Sequence, residues 1–209
     1  MEKIVQYIVE KYDPEGLIVY GSFADGSQNE GSDFDALALT RKAGAGHDGS
    51  VVEGVVLDLF LYPPEHFAGD FDPQEAVQCF DGKILVDRRG EALRLQERVR
   101  EYLASYRPKE PEQVAQDLDW CRKMAGRCVR GDAEGFYRWH WLLRDSLEIY
   151  CDARGWYYFG PKKALGAMER QDPASFALYC KALKEMDPAA LNAWVERLCR
   201  LDGEAQECP

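Results

Sequence analysis

The chain has 209 residues, of which 46% are hydrophobic and 12% aromatic, so it can bury one or two cores and is not disordered as a whole. Its formal net charge of −11 disfavours a nucleic-acid partner, because phosphate backbones require a basic surface. The longest apolar run, residues 55–62, is too short to span a bilayer, and the N-terminus lacks a signal-peptide core. We therefore expect a cytoplasmic protein with no membrane or nucleic-acid partner.

The first part of the chain mixes helix and strand signals. Apolar residues at helical spacing open it, and short β-branched and aromatic runs separated by turn-rich segments follow. The predicted elements are a helix over residues 4–12, strands over 17–20, 34–40 and 51–62, a loop over 41–50, a short helix over 73–80, and an edge strand over 83–87.

The second part of the chain is predicted to be helical throughout. Pro108 and Pro111 interrupt it near its start, and Asp-Pro pairs at 172–173 and 187–188 predict helices that begin behind an Asp cap. The predicted helices cover residues 89–106, 111–130, 134–154, 161–169, 173–186 and 188–201. The fold class is therefore α+β, a mixed sheet flanked by helices and followed by an α-helical C-terminal domain, with predicted domains at 1–106 and 107–209.

The negative charge is concentrated in the first half of the chain. Residues 1–104 carry 20 acidic and 10 basic residues, whereas residues 105–209 carry 17 and 16. This distribution favours a small or cationic partner over RNA or DNA, although solubility alone also explains it. The seven cysteines are odd in number and form no CxxC pair, and the three histidines are scattered, so we expect reduced, buried thiols and no zinc site.

Three aspartates and a Gly-Ser pair form the pattern that indicates chemistry. Asp33 and Asp35 are two residues apart on a predicted strand, so their carboxylates point to the same side and can share a hard cation. Asp58 interrupts the run VVLDLFLY, which has the pattern of a strand buried on both faces, where an unpaired carboxylate is costly. A divalent cation shared by all three removes that cost. Gly21-Ser22 follows a strand and can present backbone amides and a hydroxyl to an anion.

The stretch VYGSFADGSQNEGSDFDALAL resembles the DNA polymerase β-like nucleotidyltransferase superfamily, whose hallmark is a Gly-Ser turn, a paired Asp-x-Asp and a third carboxylate on a later strand. The resemblance covers about residues 1–87, and the helical half that follows is similar to small bacterial enzymes that adenylylate aminoglycoside or lincosamide antibiotics. It implies that Gly21 and Ser22 bind the nucleotide phosphates. It also implies that Asp33 and Asp35 hold two Mg²⁺ ions with a bound NTP, and that Asp58 completes one metal site.

By this resemblance the chain is expected to transfer AMP from ATP to a hydroxyl of a small-molecule acceptor and to release pyrophosphate. Asp58 is also a candidate general base for that hydroxyl. Two alternatives remain open at this point: a nucleotidyltransferase-like binding or antitoxin module that acts on a protein partner, and an inactive nucleotide sensor. The sequence leaves the acceptor, the preferred base and the oligomeric state open.

Several residues have a structural interpretation beside the functional one. Asp58 could instead cap a loop or pair with Arg41, and Ser22 could simply form a turn. Lys162 and Lys163 open a predicted helix, where basic residues are unfavourable, so a phosphate contact and a salt bridge are both open. Glu148 is either an acceptor-side base or a surface acid.

Overall fold

A computed structural model describes residues 1–201 of the chain. The chain divides into two compact units, Met1–Ser105 and Tyr106–Pro209. Among the described residues, no helix is both long and apolar enough to cross a membrane.

The first unit contains a six-stranded mixed sheet. Five strands follow the order β3-β5-β2-β1-β6, and β4 pairs with β5 beside this path. β2 and β5 run parallel, whereas the other neighbours are antiparallel. The bounds of the strands are β1 Gly16–Val19, β2 Phe34–Leu39, β3 Gly46–Asp48, β4 Val51–Val52, β5 Val55–Tyr62 and β6 Lys83–Asp87. The predicted strands at β1 and β2 and the predicted edge strand at β6 are confirmed.

Helices cover both faces of this sheet. The helical bounds are α1 Glu2–Tyr12, α2 Ser22–Asp25 and α3 Glu91–Ala104, with 3₁₀ helices at Pro64–Phe67 and Pro73–Cys79. Ile4 and Ile8 of α1 pack with Ala36 and Leu59 on one face. On the other face, residues of α3 and the 3₁₀ helices pack with Leu37. Leu37 is two residues after Asp35 on β2, so their side chains point to the same face. Asp35 therefore lies on the same face as the α3 core.

The predicted loop over 41–50 and the predicted single strand over 51–62 are wrong in part, because these residues form a β-hairpin. Glu53 and Gly54 have positive φ values of 53° and 81°, as a two-residue hairpin turn requires. β4 and β3 then run back along β5 in one register, with Val52 opposite Val55 and His47 opposite Phe60. The turn lies inside an apolar run, which is why the run looked like one strand.

The prediction that β5 is buried on both faces is also wrong. Burial alternates along the strand: Leu57, Leu59 and Leu61 are buried, whereas Asp58 is partly exposed and Val56 is 49% exposed. A run of apolar residues does not identify a doubly buried strand, because much protein surface is apolar too. Asp58 is therefore not a buried charge, and its burial gives no reason to expect a bound cation. The positions of Asp33 and Asp35 relative to Asp58 provide the remaining evidence.

The second unit is helical, as predicted. Its helices are α4 Pro111–Cys128, α5 Ala133–Ala153, α6 Pro161–Gln171, α7 Pro173–Glu185 and α8 Pro188–Arg200. Asp172 and Asp187 cap α7 and α8 by accepting hydrogen bonds from backbone amides of the first turn, which confirms the Asp-Pro prediction. Its core includes a group of contacting aromatic side chains, in which the fully buried Trp194 packs against Tyr150 and Tyr179.

The cysteines of the described residues are all free thiols. The prediction of free thiols is confirmed for these six cysteines. The prediction that they are buried is confirmed for four of them, since the other two are half-buried. Cys208 lies outside the described residues. The buried thiols are Cys79, Cys121, Cys128 and Cys151, and the half-buried ones are Cys180 and Cys199.

Candidate active site

The three predicted aspartates come together near the start of β2, where it pairs with β5. β2 and β5 pair in parallel with Asp35 directly opposite Asp58, so the two side chains stand next to each other on the same face of the sheet. Asp33 immediately precedes β2. One carboxylate oxygen from each of the three residues lies within 4.8 Å of the others.

This arrangement fits a hard divalent cation. An octahedral Mg²⁺ bonds oxygen at about 2.1 Å, which places its own ligands roughly 3–4 Å apart, so small side-chain rotations bring these oxygens into range. Asp33 is exposed, and Asp35 and Asp58 are partly exposed, which leaves room for water or phosphate oxygens to complete a coordination shell. Three crowded carboxylates repel one another, and a bound cation relieves that repulsion.

Gly21 and Ser22 lie at the end of β1 beside this cluster. Gly21 has φ 63° and ψ −150°, a conformation that L-residues rarely adopt, and it starts the one-turn helix α2. A Cβ built on Gly21 would lie 2.3 Å from Oδ2 of Asp35. The backbone of the turn therefore passes directly against the carboxylate, and only glycine permits that approach. Ser22 is buried at the first position of α2.

Asp58 has a partner that sequence reasoning missed. Nε2 of His47 lies 2.6 Å from Oδ1 of Asp58, and the imidazole also packs on Phe60 with the ring centroids 5.1 Å apart. Arg41, the alternative partner proposed from the sequence, instead pairs with Glu15 and Glu65. The histidine was overlooked because its strand lies in the segment predicted to be a loop. The signal that could have revealed it is the Glu53-Gly54 turn, which folds His47 back towards Asp58.

Tyr20 is a buried residue whose backbone is hydrogen-bonded to Asp35. Its backbone amide donates to the carbonyl of Asp35 at 3.1 Å, and its side chain is buried. Burial raises the pKa of the Tyr20 phenol, and the charges of Cys79, Asp58 and Asp35 raise it further.

The second unit contains the other residues singled out in the sequence, Lys162, Lys163 and Glu148. Lys42, the residue after Arg41, lies in the first unit. Lys42 pairs with Asp13 at 3.5 Å, so it forms a surface ion pair. Lys163 lies over the ring of Phe159 at 5.4 Å, at the start of α6. Glu148 is exposed on α5 and lines a cavity within the helical unit.

The mixed sheet, the Gly-Ser turn and the three converging carboxylates define a protein of the nucleotidyltransferase class. The family described as nucleotidyltransferase domain matches residues 1–113, more than half of the chain, and the chain belongs to this family. Its structure is similar to that of a nucleotidyltransferase-like protein from Exiguobacterium sibiricum, with 15% sequence identity and a TM-score of 0.41. That match covers 96% of this chain and 72% of the other. No curated protein sequence matches the chain.

Proposed function

We propose that the chain transfers AMP from ATP to a hydroxyl of a small cationic acceptor, with Mg²⁺ as its cofactor and pyrophosphate as the leaving group. The observation that carries this proposal is the parallel register of Asp35 and Asp58, which together with Asp33 sets three carboxylates around one point. Positioning and charge neutralisation are what phosphoryl-group chemistry requires of a protein.

The three aspartates divide two roles in this proposal. Asp33 and Asp35 hold both ions, and Asp58 completes one of the two sites. When bound, two such ions neutralise the triphosphate and polarise the attacking and leaving oxygens. The acceptor oxygen forms a bond to the α-phosphorus while the bond to the β-phosphate oxygen breaks, and Asp58 accepts the proton of the hydroxyl.

Gly21 and Ser22 are proposed to bind the triphosphate. The Gly21 backbone lies against the Asp35 carboxylate. Phosphate oxygens that bind a cation held by Asp35 would therefore lie close to the backbone of this turn. Backbone amides of such a turn and the Ser22 hydroxyl are suitable donors to phosphate oxygens.

A cavity in the helical unit supports a small cationic acceptor. Its volume is about 490 Å³, and the tyrosines Tyr106, Tyr157 and Tyr158 line it together with Glu148 and Asp152. Ring faces and carboxylates are the groups that bind organic ammonium ions.

Two basic residues line the cavity, Arg107 and Lys109. Arg107 donates to the backbone carbonyl of the residue before it, and Lys109 is neutralised by acidic partners. The ammonium of Lys109 lies 2.8 Å from Asp152 and 2.9 Å from Asp117. Burial of Asp152 raises the pKa of its carboxyl, and Lys109 offsets part of that shift. Glu148 has no ion pair among residues 1–201, so its charge is available to a ligand amine. Amino sugars, the class that includes aminoglycoside antibiotics, carry both the amines and the hydroxyls that this proposal requires, and a lincosamide carries hydroxyls and a basic amine.

A pyrophosphate-release screen tests the proposal. The wild-type protein is incubated with each of the four NTPs, Mg²⁺ and one acceptor at a time, drawn from amino sugars, lincosamides, neutral sugars, RNA and DNA. We expect release with ATP and an amine-bearing acceptor, and none from Asp33→Asn under the same conditions. Mass spectrometry of the acceptor should show a gain of one AMP.

Other outcomes of the screen would contradict parts of the proposal. Equal release by Asp33→Asn would remove that carboxylate from the site. Transfer to a co-purified protein with no small acceptor modified would favour the alternative of a module that acts on a protein partner. ATP bound without any pyrophosphate release would favour the nucleotide sensor.

A further inference from the structure

The hairpin beside β5 holds a histidine against one of the three aspartates. His47 lies opposite Phe60, which places it diagonally across from Asp58 on the same face of the sheet. Its Nε2 reaches Oδ1 of Asp58 at 2.6 Å. The contact joins a residue outside the carboxylate cluster to a residue inside it.

The imidazole packs on one side against Phe60, and its other side is open to solvent, since the His47 side chain is 47% exposed. The ring contact with Phe60 and the hydrogen bond to Asp58 together favour the rotamer of His47 that points towards the carboxylate.

The strand that carries His47 is itself anchored to α1. The neighbouring residue Asp48 is buried and accepts hydrogen bonds from Tyr12 at 2.8 Å and Lys11 at 3.0 Å. It also accepts from the backbone amide of Ser50 at 2.9 Å. These bonds hold the hairpin in place, so the position of His47 is set by the fold and not by a flexible loop.

We propose that His47 is a positioning residue that orients the Asp58 carboxylate for cation binding. Nε2–H of the imidazole donates to Oδ1 of Asp58, which restricts rotation of the carboxyl group. Hydrogen bonds from surrounding residues orient metal-binding carboxylates and histidines in this way, and their loss costs about 10- to 100-fold in metal affinity. The inference rests on the proposed cation site and goes beyond it by naming the residue that orients one ligand.

Binding of Mn²⁺ in the presence of inorganic triphosphate tests the inference without any acceptor or turnover. The dissociation constant is measured by electron paramagnetic resonance on the full chain for wild type, Asp58→Asn, His47→Ala and His47→Gln. Gln keeps a neutral donor near the position of Nε2, whereas Ala removes it. We expect His47→Ala to weaken binding about 10- to 100-fold and His47→Gln to recover most of the loss.

His66→Ala is the matched control. His66 makes a similar contact: its Nε2 donates to Oε2 of Glu75 at 2.8 Å, in the same unit but outside the three-aspartate cluster. Its loss should leave Mn²⁺ affinity unchanged. Circular dichroism of all four variants checks that each is folded.

The outcomes separate this inference from the proposal on which it rests. Wild-type affinity in His47→Ala, together with weakened binding in Asp58→Asn, would overturn the role of His47 and leave the cation site intact. No Mn²⁺ binding by wild type would overturn both. Triphosphate contains no nitrogen, so any electron spin-echo signal from nitrogen bound directly to Mn²⁺ must come from the protein. If that signal disappears in His47→Ala, His47 is itself a metal ligand and not a positioning residue. This result would also overturn the inference.

Discussion

Two aspartates on neighbouring strands of the same sheet have opposite surroundings. Asp48 on β3 is opposite Leu59, whereas Asp58 is the residue before Leu59 on β5, so the two side chains point to opposite faces. Asp48 is 8% exposed and accepts bonds from an ammonium, a phenol and the Ser50 amide, while the Asp58 side chain is 38% exposed. Among the described residues, only His47 hydrogen-bonds to Asp58. The same residue type thus stabilises the fold at one position and remains accessible to a ligand at the other.

This comparison predicts that substitution of Asp58 lowers activity, whereas substitution of Asp48 lowers stability. The largest effect is expected on the activity of Asp58→Asn. Asp58→Asn should lower kcat/KM about 10³-fold, or ~4 kcal/mol, because the proposed cation ligand and the proposed base are lost together. Its free energy of unfolding should change by less than about 0.5 kcal/mol, since the side chain is partly exposed. Pyrophosphate release and urea unfolding measure the two quantities. A large loss of stability with activity retained would reverse the assignment.

The next largest effect is expected at the turn that touches Asp35. Gly21→Ala should lower kcat/KM about 100-fold, because the added methyl would lie 2.3 Å from Oδ2 of Asp35 and displace the carboxylate. Gly26→Ala is the matched control, since Gly26 also has a positive φ, 84°, but no atom lies within 4 Å of its Cβ position. Gly26→Ala should lose about 1 kcal/mol of stability from its left-handed backbone. Gly21→Ala should lose about 1–3 kcal/mol, because φ 63° with ψ −150° is a conformation that is essentially restricted to glycine. Equal loss of activity in the two would show that the contact with Asp35 is irrelevant.

The effect at Asp48 should be smaller and should fall on stability. Asp48→Asn removes a charged acceptor of several hydrogen bonds and should lower the free energy of unfolding by about 2 kcal/mol. Its kcat/KM should change by less than about tenfold at a temperature where it is folded. Loss of activity as large as that of Asp58→Asn would erase the distinction between the two aspartates.

The pH dependence of stability sharpens this point. Burial alone would raise the pKa of Asp48, but hydrogen bonds from Ser50, Tyr12 and Lys11 outweigh it and hold the pKa well below the ordinary value of 3.8. A carboxyl whose pKa is lower in the folded state stabilises the fold above pH 3.8 and loses that contribution as the pH falls towards the folded-state pKa. The stability difference between wild type and Asp48→Asn should therefore be constant above about pH 5 and shrink below pH 3.8.

The smallest effect is expected in the helical unit. Glu148→Gln should raise KM for a cationic acceptor about fivefold, or ~1 kcal/mol, because one exposed charge partner is lost. Glu169→Gln on α6 is the control, since Glu169 is an exposed acid that does not line the cavity. The effect of Glu148→Gln should fade at high salt, where exposed charges are screened. An unchanged KM would place the acceptor elsewhere.

The sequence predicted the elements that depend on local signals. Helical spacing and Asp-Pro caps identified α7 and α8, and the spacing of Asp33 and Asp35 indicated that their carboxylates share a side. These features depend on residues close together in the chain, so pattern and propensity suffice for them.

The contacts of Asp58 depend on pairing between distant residues. A parallel register between residues more than twenty positions apart is not encoded by any local signal. The convergence of the three carboxylates was predicted instead from the supposed burial of Asp58 and from the resemblance to a known superfamily. His47 was missed because the Glu53-Gly54 turn was taken as strand interior. The burial argument for Asp58 failed even though the predicted convergence is present, because apolar neighbours in sequence do not imply burial on both faces.

Anomalous diffraction from crystals grown with Mn²⁺ and an α,β-methylene analogue of ATP would show whether the three aspartates hold the metal. We predict manganese peaks within bonding distance of carboxylate oxygens from Asp33, Asp35 and Asp58, with the triphosphate analogue beside Gly21 and Ser22. Manganese bound elsewhere in the protein, or analogue bound with no metal at these three carboxylates, would contradict it.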